Sequence, residues 1–230
     1  MRDLSTWKGC PPPAPVALEG RFVRIEPYQR EAHLTALWEA FGGMGINPLL
    51  KYFAQDDFAG LEGFDAWSEA VIKSGWVREV IVDKATGRPA GMAHYMRPDP
   101  ANGVVEIGGI AHGTGMARSP LSTEAQYLLA RHVFKDLGYR RYEWKCDNLN
   151  EASKRTALRL GFSFEGVFRQ HMLSKRKNRD TAWFSIIDGE WPVLAAAFEA
   201  WLDPTNFDAD GKQKRRLEDL RAEAGKAAAQ

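Results

Sequence analysis

Three strand-like segments follow one another between residues 78 and 111, and short turns separate them. The segments cover residues 78–83, 89–97 and 104–111. The connections, DKATGRP and PDPANG, consist of residues that favour tight turns. The pattern predicts a strand meander, which can bury its apolar residues only when helices or a second sheet cover it.

Helix-like and further strand-like segments surround this meander. A helix ends before Gly138 and another before Gly161, because glycine commonly follows the last turn of a helix. The order predicts an α/β (α+β) fold, in which helices flank a mixed, mostly antiparallel central sheet. The helices are expected at 31–41, 63–74, 121–137, 150–160 and 190–202, and the additional strands at 16–26, 140–146, 163–174 and 180–187.

The two ends of the chain differ in composition from the region between them. Residues 1–15 form a leader in which Pro11, Pro12, Pro13 and Pro15 disfavour helix and sheet alike. Residues 16–205 are expected to form one domain, and residues 206–230 a charged C-terminal tail. Residues 208–230 hold six basic and five acidic side chains, so a solvated helix is favoured there over a nucleic-acid-binding segment.

Composition bounds the class of protein. The formal net charge is +1, which provides no general attraction to nucleic acid or to acidic membranes. No apolar run reaches the roughly 20 residues that a membrane span requires, and the N-terminus lacks the apolar segment of a signal peptide. The two cysteines, Cys10 and Cys146, indicate neither a disulfide framework nor a metal site. The expectation is a cytoplasmic protein without a metal.

The loop before the helix at 121–137 is a candidate phosphate site. A helix N-terminus presents unpaired backbone N–H groups and the positive end of the helix dipole. Ser122 and Thr123 could cap the helix or donate hydroxyls to an anion, and Arg118 could add charge. Many helices begin in the same way and bind nothing, so the loop alone leaves both interpretations open.

The block from residue 106 to 169 resembles the core of the GNAT N-acetyltransferases, in particular the branch that acetylates ribosomal-protein alanine. That branch has a Glu-Ile-Gly strand, a helix starting near Thr-Glu-Ala, then Leu-Gly-x-x-Arg, Asn-x-x-Ser and Gly-Phe-x-x-Glu-Gly. The matches are Glu106-Ile107-Gly108, Ser122-Thr123-Glu124-Ala125, Leu137-Gly138 with Arg141, Asn150 with Ser153, and Gly161-Phe162 with Glu165-Gly166. The order of elements extends the resemblance to about residues 16–200.

The resemblance implies the GNAT fold and acetyl-CoA as cofactor. It places the acetyl-pantetheine arm between the strands 104–111 and 140–146, with a backbone N–H at about Ile110 on the thioester carbonyl. The implied cofactor-binding residues are Ile110, Ala117, Arg118, Ser119, Leu121, Ser122, Thr123, Asn150 and Ser153. The loop departs from the family pattern at Pro120, which stands where a glycine is usual and has no N–H to donate.

The catalytic candidates are Ser153 and Glu106. Many GNAT enzymes protonate the leaving thiolate with a tyrosine, but Ala157 stands at that position, and the resemblance offers Ser153 instead. Ser153 could equally be an ordinary first-turn serine, and Asn150 a helix cap, a pantetheine ligand or both. Glu106 is the first candidate for the base, because a carboxylate within VVEIGGI is costly unless it is exposed or used.

Other residues have weaker claims. His112 and His171 are secondary candidates for the base, and Cys146 could relay an acetyl group or simply be buried. Trp38, Trp67 and Trp76 could form an aromatic cage in the acceptor pocket or pack in the core.

The predicted function is transfer of an acetyl group from acetyl-CoA to a primary amine, by direct attack on the thioester. The acceptor could be a protein N-terminus or a small-molecule amine. The alternatives are a GNAT-fold protein that binds acyl-CoA without turnover, as a sensor or scaffold, and an interaction module that acts through its charged tail. The oligomeric state stays open, although a homodimer is common among relatives of this kind, and neither a membrane nor nucleic acid is expected as a partner.

Overall fold

A computed structural model describes residues 4–116 and 119–228. Eight strands form one sheet in the order β1-β2-β3-β4-β5-β6-β8-β7, and only β5 and β6 are parallel neighbours. The strands are β1 (Leu18–Glu19), β2 (Val23–Pro27), β3 (Val77–Asp83), β4 (Pro89–Asp99), β5 (Val104–His112), β6 (Arg141–Asp147), β7 (Ser163–Ser174) and β8 (Lys177–Ile187). The helices are α1 (Arg30–Ala40), α2 (Leu61–Lys73), α3 (Pro120–Arg131), α4 (Glu151–Leu160), α5 (Trp191–Leu202) and α6 (Leu217–Ala228).

The predicted meander is confirmed as β3, β4 and β5. Asp83 closes the first turn by accepting hydrogen bonds from the Ala85 amide and the Thr86 hydroxyl. Asp99 closes the second by accepting from both the backbone and the side-chain nitrogen of Asn102. Aspartate side chains stabilise both turns, which explains why the turn-favouring residues in the sequence mark the ends of these strands.

Helices cover both faces of the sheet, as predicted. α1 and α2 pack on one face, over Val80, Val82 and Met92. α3 and α5 pack on the other face, over residues such as Ala93 and Val105. The predicted helix at 121–137 consists of α3 followed by one π-helical turn, His132–Asp136. Within the described residues, no helix is long and apolar enough to cross a membrane.

The strand predicted at 16–26 is in fact two strands, and a buried carboxylate explains the interruption. Glu124 on α3 accepts hydrogen bonds from the backbone amides of Arg21, Phe22 and Val23 at 2.6–2.8 Å. These amides turn toward α3 instead of extending a strand. Glu124 therefore has a structural role, because it fixes the segment between β1 and β2 against α3.

The C-terminal segment contains the expected helix, α6, but two buried leucines attach this helix to the core. Leu217 and Leu220 of α6 are buried in the main core, and α6 packs on α5 and α4. Arg221 donates hydrogen bonds to the carbonyls of Leu158 and Arg159 at the end of α4. Two leucines three residues apart are enough to seat the helix, although charged residues dominate its composition.

The described part of the proline-rich leader, residues 4–15, contains no helix or strand and is held against the domain by hydrogen bonds. Trp7 donates its indole N–H to the Ala101 carbonyl, and Tyr139 donates its hydroxyl to the Pro11 carbonyl. At the end of the leader, the Val16 amide donates to the carboxyl of Glu79 at 3.1 Å. Glu79 is fully buried, and burial raises its pKa to about 8.

This raised pKa predicts a pH-dependent stability. Folded protein keeps a proton on Glu79 that the unfolded chain loses above its ordinary pKa of 4.5. The stabilisation by this proton is complete below pH 4.5 and is lost as pH rises toward 8, by up to about 1.4 kcal/mol per pH unit. Glu79→Gln should therefore flatten the profile of unfolding free energy between pH 5 and 8, measured by urea denaturation.

The exposed Glu62 on α2 supplies the control for this experiment. Glu62→Gln should reproduce the wild-type slope. Parallel profiles for Glu79→Gln and wild type would show that Glu79 is already ionised in the folded state.

Candidate active site

The two parallel strands at the centre of the sheet separate soon after they meet. β5 and β6 pair at three positions, from Val104 with Arg141 to Glu106 with Glu143. Beyond Glu106 the remainder of β5 has no pairing with β6. Backbone groups of β5 that face β6 are consequently available to a ligand placed in the gap.

A bulge lies on β5 beside this gap. Two steps along β4, from His94 to Met92, face three steps along β5, from Gly108 to Ala111. The extra residue changes the direction of the backbone groups there. Gly109 has a φ of 56°, and a Cβ at this position would lie 2.5 Å from His94 Nδ1. Glycine is therefore required by both the backbone conformation and the close approach of His94.

The start of α3 presents free backbone donors at the edge of a cleft. Ser119 is the N-cap and Pro120 the first helical residue, a position where a missing N–H costs no intrahelical bond. The amides of Leu121 and Ser122 are first-turn donors without an intrahelical acceptor. The proline thus removes one donor from the loop and leaves the helix terminus intact.

The cleft has a volume of about 800 Å³ and lies between α3, α4 and the segment before α6. Its basic side chains are Arg155, Arg159 and Lys212, and no acidic residue is among the described residues that line it. A cleft with basic walls and a helix N-terminus suits a phosphorylated ligand. The lining also includes His112, Ser119, Pro120, Ser122, Thr123, Gln126, Trp144, Ala152 and Thr156.

Sequence reasoning missed Arg155 and Arg159. They lie four residues apart on α4, so they share a helix face, and that spacing was the available signal. Arg159 donates to the Thr123 hydroxyl at 3.0 Å and stacks on the Trp201 ring. Burial lowers the pKa of Arg159. Thr123 is itself buried, and its hydroxyl joins α3 to α4.

The start of α4 places Ser153 beside the gap between β5 and β6. Asn150 is the N-cap, and its side-chain oxygen accepts from the Ser153 amide at 3.1 Å. The Ser153 hydroxyl accepts from the Trp144 indole N–H at 2.9 Å. Cys146, beside Ser153, is buried, and burial raises the pKa of its thiol. Trp144 thereby fixes the position of the Ser153 oxygen, while the thiol is kept protonated.

Glu106 is buried rather than exposed, on the sheet face that α1 and α2 share. Its neighbours Val105 and Ile107 point into the opposite core, so Glu106 points the other way. Its carboxylate lies 3.1 Å from Lys145 Nζ and 3.2 Å from Arg97. Burial raises the pKa of Glu106, and the two cations partly offset that rise.

His112 borders two cavities. It lines the basic cleft and also a smaller, apolar cavity of about 350 Å³. Its Nε2 atom is buried and has no hydrogen-bond partner among the described residues, and burial lowers the pKa of His112 to about 4. The other lining residues of the apolar cavity come from two segments. One is the end of β5 with the loop after it, and the other runs from the end of α1 through a 3₁₀ helix, Gly43–Leu50, to Phe53. The lining residues of both segments are Phe41, Gly45, Leu49, Leu50, Phe53, Ile110, Ala111, Gly113 and Thr114.

The sequence-predicted residues therefore fall into several groups. Ser119, Ser122 and Thr123 line the basic cleft, Ile110 borders the apolar cavity, and Leu121 contributes a first-turn amide. Asn150 and Ser153 lie at the start of α4, next to Ala152 in the cleft wall. Ala117 and Arg118 lie outside the described residues. His171 is hydrogen-bonded to Thr181, away from both cavities.

Of the two alternatives for the three tryptophans, an aromatic cage for a ligand and packing within the chain, the structure shows packing. Trp38 packs against Phe58 and Phe64, and Trp67 stacks on the Arg78 guanidinium. Trp76 packs against His94. These tryptophans are structural.

Fold and site together define an acetyltransferase of the GNAT type. The family model for the acetyltransferase (GNAT) domain matches residues 25–163, and the chain belongs to this family. GNAT N-acetyltransferases transfer an acyl group from acetyl-CoA. Among residues 4–116 and 119–228, no group of three or more His, Cys, Asp or Glu side chains could hold a metal ion.

Solved structures agree with this assignment. A GCN5-related N-acetyltransferase from Brucella melitensis is 45% identical, with a TM-score of 0.91, covering 95% of this chain and 100% of that one. A probable acetyltransferase of the GNAT family from Chromobacterium violaceum is 34% identical, with a TM-score of 0.77 and coverages of 84% and 96%.

The ribosomal-protein branch is more distant. The ribosomal-protein-S5-alanine acetyltransferase from Vibrio fischeri is 16% identical, with a TM-score of 0.60 and coverages of 76% and 98%, and this likeness concerns the fold alone. No curated protein matches the chain significantly.

Proposed function

We propose that this protein binds acetyl-CoA in the basic cleft and transfers the acetyl group to a primary amine. The observation that carries the proposal is the shared location of three features: the gap between β5 and β6, the free amides at the start of α3, and the basic cleft. Leu121 and Ser122 would bind the pyrophosphate through their amides, with Arg155 nearby. Acetyl-CoA, when bound, supplies an activated acetyl thioester.

The chain's own groups have distinct roles in this proposal. The Ile110 N–H donates to the thioester carbonyl and favours negative charge on its oxygen. Ser153, held by Trp144, is the proposed proton donor to the leaving sulfur. Asn150 orients Ser153 by capping α4. The apolar cavity beside Ile110 supports an acceptor whose amine carries an apolar group, on a small molecule or at a protein N-terminus.

The acceptor amine must lose a proton to react, because an alkylamine near pKa 10 is mostly protonated at neutral pH. Glu106 is the proposed proton acceptor. It lies on the sheet face that also borders the apolar cavity, at the last paired position before the gap. Its raised pKa makes it a stronger base than an exposed carboxylate. His112 is the alternative, since it is neutral and lines both cavities.

A cytoplasmic location and a homodimer stay predictions.

Calorimetric titration with acetyl-CoA tests the cofactor site. Wild type should bind, and Arg155→Glu should weaken the affinity about 10-fold, because it reverses a charge in the cleft wall. Arg169→Glu reverses an exposed charge on β7, outside the lining of both cavities, and should bind like wild type. An amine panel read by release of free CoA then tests transfer. The proposal would be contradicted if folded wild type did not bind acetyl-CoA, or if no amine in the panel caused release of CoA.

A matched pair of glutamates tests the proton acceptor. Glu106 and Glu143 both form ion pairs with Lys145, so either substitution leaves Lys145 one partner. Glu106→Gln should lower kcat about 100-fold or more with an unchanged KM for acetyl-CoA, whereas Glu143→Gln should stay within about threefold of wild type. Steady-state kinetics on both variants and on His112→Gln decide the matter. If Glu106→Gln kept full activity and His112→Gln lost activity, His112 rather than Glu106 would be the proton acceptor.

A further inference from the structure

A buried chain of two hydrogen bonds runs from Arg78 through His94 to the bulge on β5. Arg78 Nε donates to His94 Nε2 at 2.8 Å, and His94 Nδ1 lies 3.1 Å from the Gly109 carbonyl oxygen. Arg78 is 2% exposed and His94 is fully buried. Neither residue is required by the family pattern described above, and neither lines the two cavities.

The chemistry of arginine determines which nitrogen of His94 carries the proton. A guanidinium donates hydrogen bonds and cannot accept them, so His94 Nε2 must present its lone pair to Arg78. The neutral ring then carries its proton on Nδ1 and donates it to the Gly109 carbonyl. Burial, with the nearby charge of Arg78, lowers the pKa of His94 to about 3. The same tautomer therefore persists at every pH at which the enzyme would work.

Aromatic rings hold Arg78 in place. Its guanidinium lies 4.7 Å from the centroid of the Tyr28 ring and 5.0 Å from that of the Trp67 ring. Trp76 packs edge-on against the His94 ring at 5.4 Å. Cation–π contacts in a desolvated site are among the stronger ones of their kind. The donor chain is thus rigid before any ligand arrives.

The group that His94 holds is half of a functionally important peptide unit. The Gly109 carbonyl and the Ile110 N–H belong to one planar trans peptide and point in opposite directions. Fixing the carbonyl toward His94 fixes the N–H in the direction away from it. A hydrogen bond to the carbonyl also polarises the peptide and makes its N–H a stronger donor.

We propose that Arg78 and His94 are positioning residues that orient and polarise the Ile110 N–H for binding the thioester carbonyl. This inference rests on the proposed function. It explains why the Arg78 guanidinium is buried although its two terminal nitrogens have no hydrogen-bond partner among the described residues. Packing alone would be satisfied by apolar side chains of similar volume.

The first test needs no variant and no cofactor. The ¹⁵N chemical shifts of the His94 ring in wild-type protein report which nitrogen is protonated. A protonated Nδ1 and an unprotonated Nε2 are expected, unchanged between pH 6 and 8. The opposite tautomer, or a charged ring, would overturn the inference.

The second test reads the cofactor carbonyl directly. Infrared difference spectra of acetyl-CoA labelled with ¹³C at the acetyl carbonyl should show a shift to lower frequency on binding to wild type. His94→Leu should return the band to nearly its free position and lower kcat about 10- to 100-fold, with KM for acetyl-CoA within about threefold. His94→Asn, whose amide can donate near the Nδ1 position, should restore part of the shift.

Val80→Ala controls for a general loss of packing. Val80 is fully buried on the same face of β3 as Arg78, and the substitution should lower stability while leaving the band at its wild-type frequency. An equal shift in wild type and His94→Leu would refute the positioning role and leave acetyl transfer standing. Failure of wild type to bind acetyl-CoA would instead refute the proposed function, and this inference with it.

Discussion

The early separation of β5 from β6 is the constraint on which the rest of the site depends. A parallel pair inside a sheet would normally continue its ladder, since every unpaired backbone group in a buried position carries a cost. Here the ladder stops after three pairs. The bulge at Gly109 and Ile110 follows at once, on the strand that has lost its partner. A ligand with its own amide and carbonyl groups, such as a pantetheine arm, can satisfy what β6 leaves unpaired.

Buried polar contacts keep the elements around this gap in place. Glu124 binds three consecutive amides and so connects α3 to the turn between β1 and β2. Thr123 and Arg159 connect α3 to α4 across the basic cleft. Trp144 connects β6 to Ser153 on α4. The contacts of Glu124 and Thr123 join residues that are far apart in sequence. Hydrogen bonds of specific geometry therefore hold the walls of the cleft, and apolar packing fills the space behind them.

The fold could be predicted where the chain uses local signals. Asp83 and Asp99 close the turns of the meander with their own side chains, and Gly161 ends α4 in the left-handed conformation. The ends of β3, β4 and α4 could therefore be predicted from the sequence. Contacts between residues far apart in sequence could not be predicted. No residue near positions 20–23 indicates that Glu124 will accept hydrogen bonds from the amides there. Similarly, two leucines within a charged segment do not predict that α6 packs on the core. The prediction of one continuous strand at 16–26 was wrong for this reason, and the prediction of a C-terminal helix missed the contacts of that helix with the core.

The site shows the same division. The N-terminus of α3 and the cap at Asn150 follow from local sequence, and the structure places both beside the basic cleft. Arg155 and Arg159 contribute to that cleft only because α4 faces α3 across it, which no local pattern specifies. The tryptophans were ambiguous, since a cage for a ligand and a stack on the chain's own Arg78 require the same residues.

Site-resolved amide hydrogen exchange, with and without acetyl-CoA, tests the central claim most directly. Bound cofactor should slow exchange at Ile110 in the gap beside β6 and at Leu121 and Ser122 at the start of α3, because each amide would acquire an acceptor. Amides on α2, across the sheet, should be unaffected. Protection confined to other parts of the chain would show that the gap and the helix terminus are not the cofactor site.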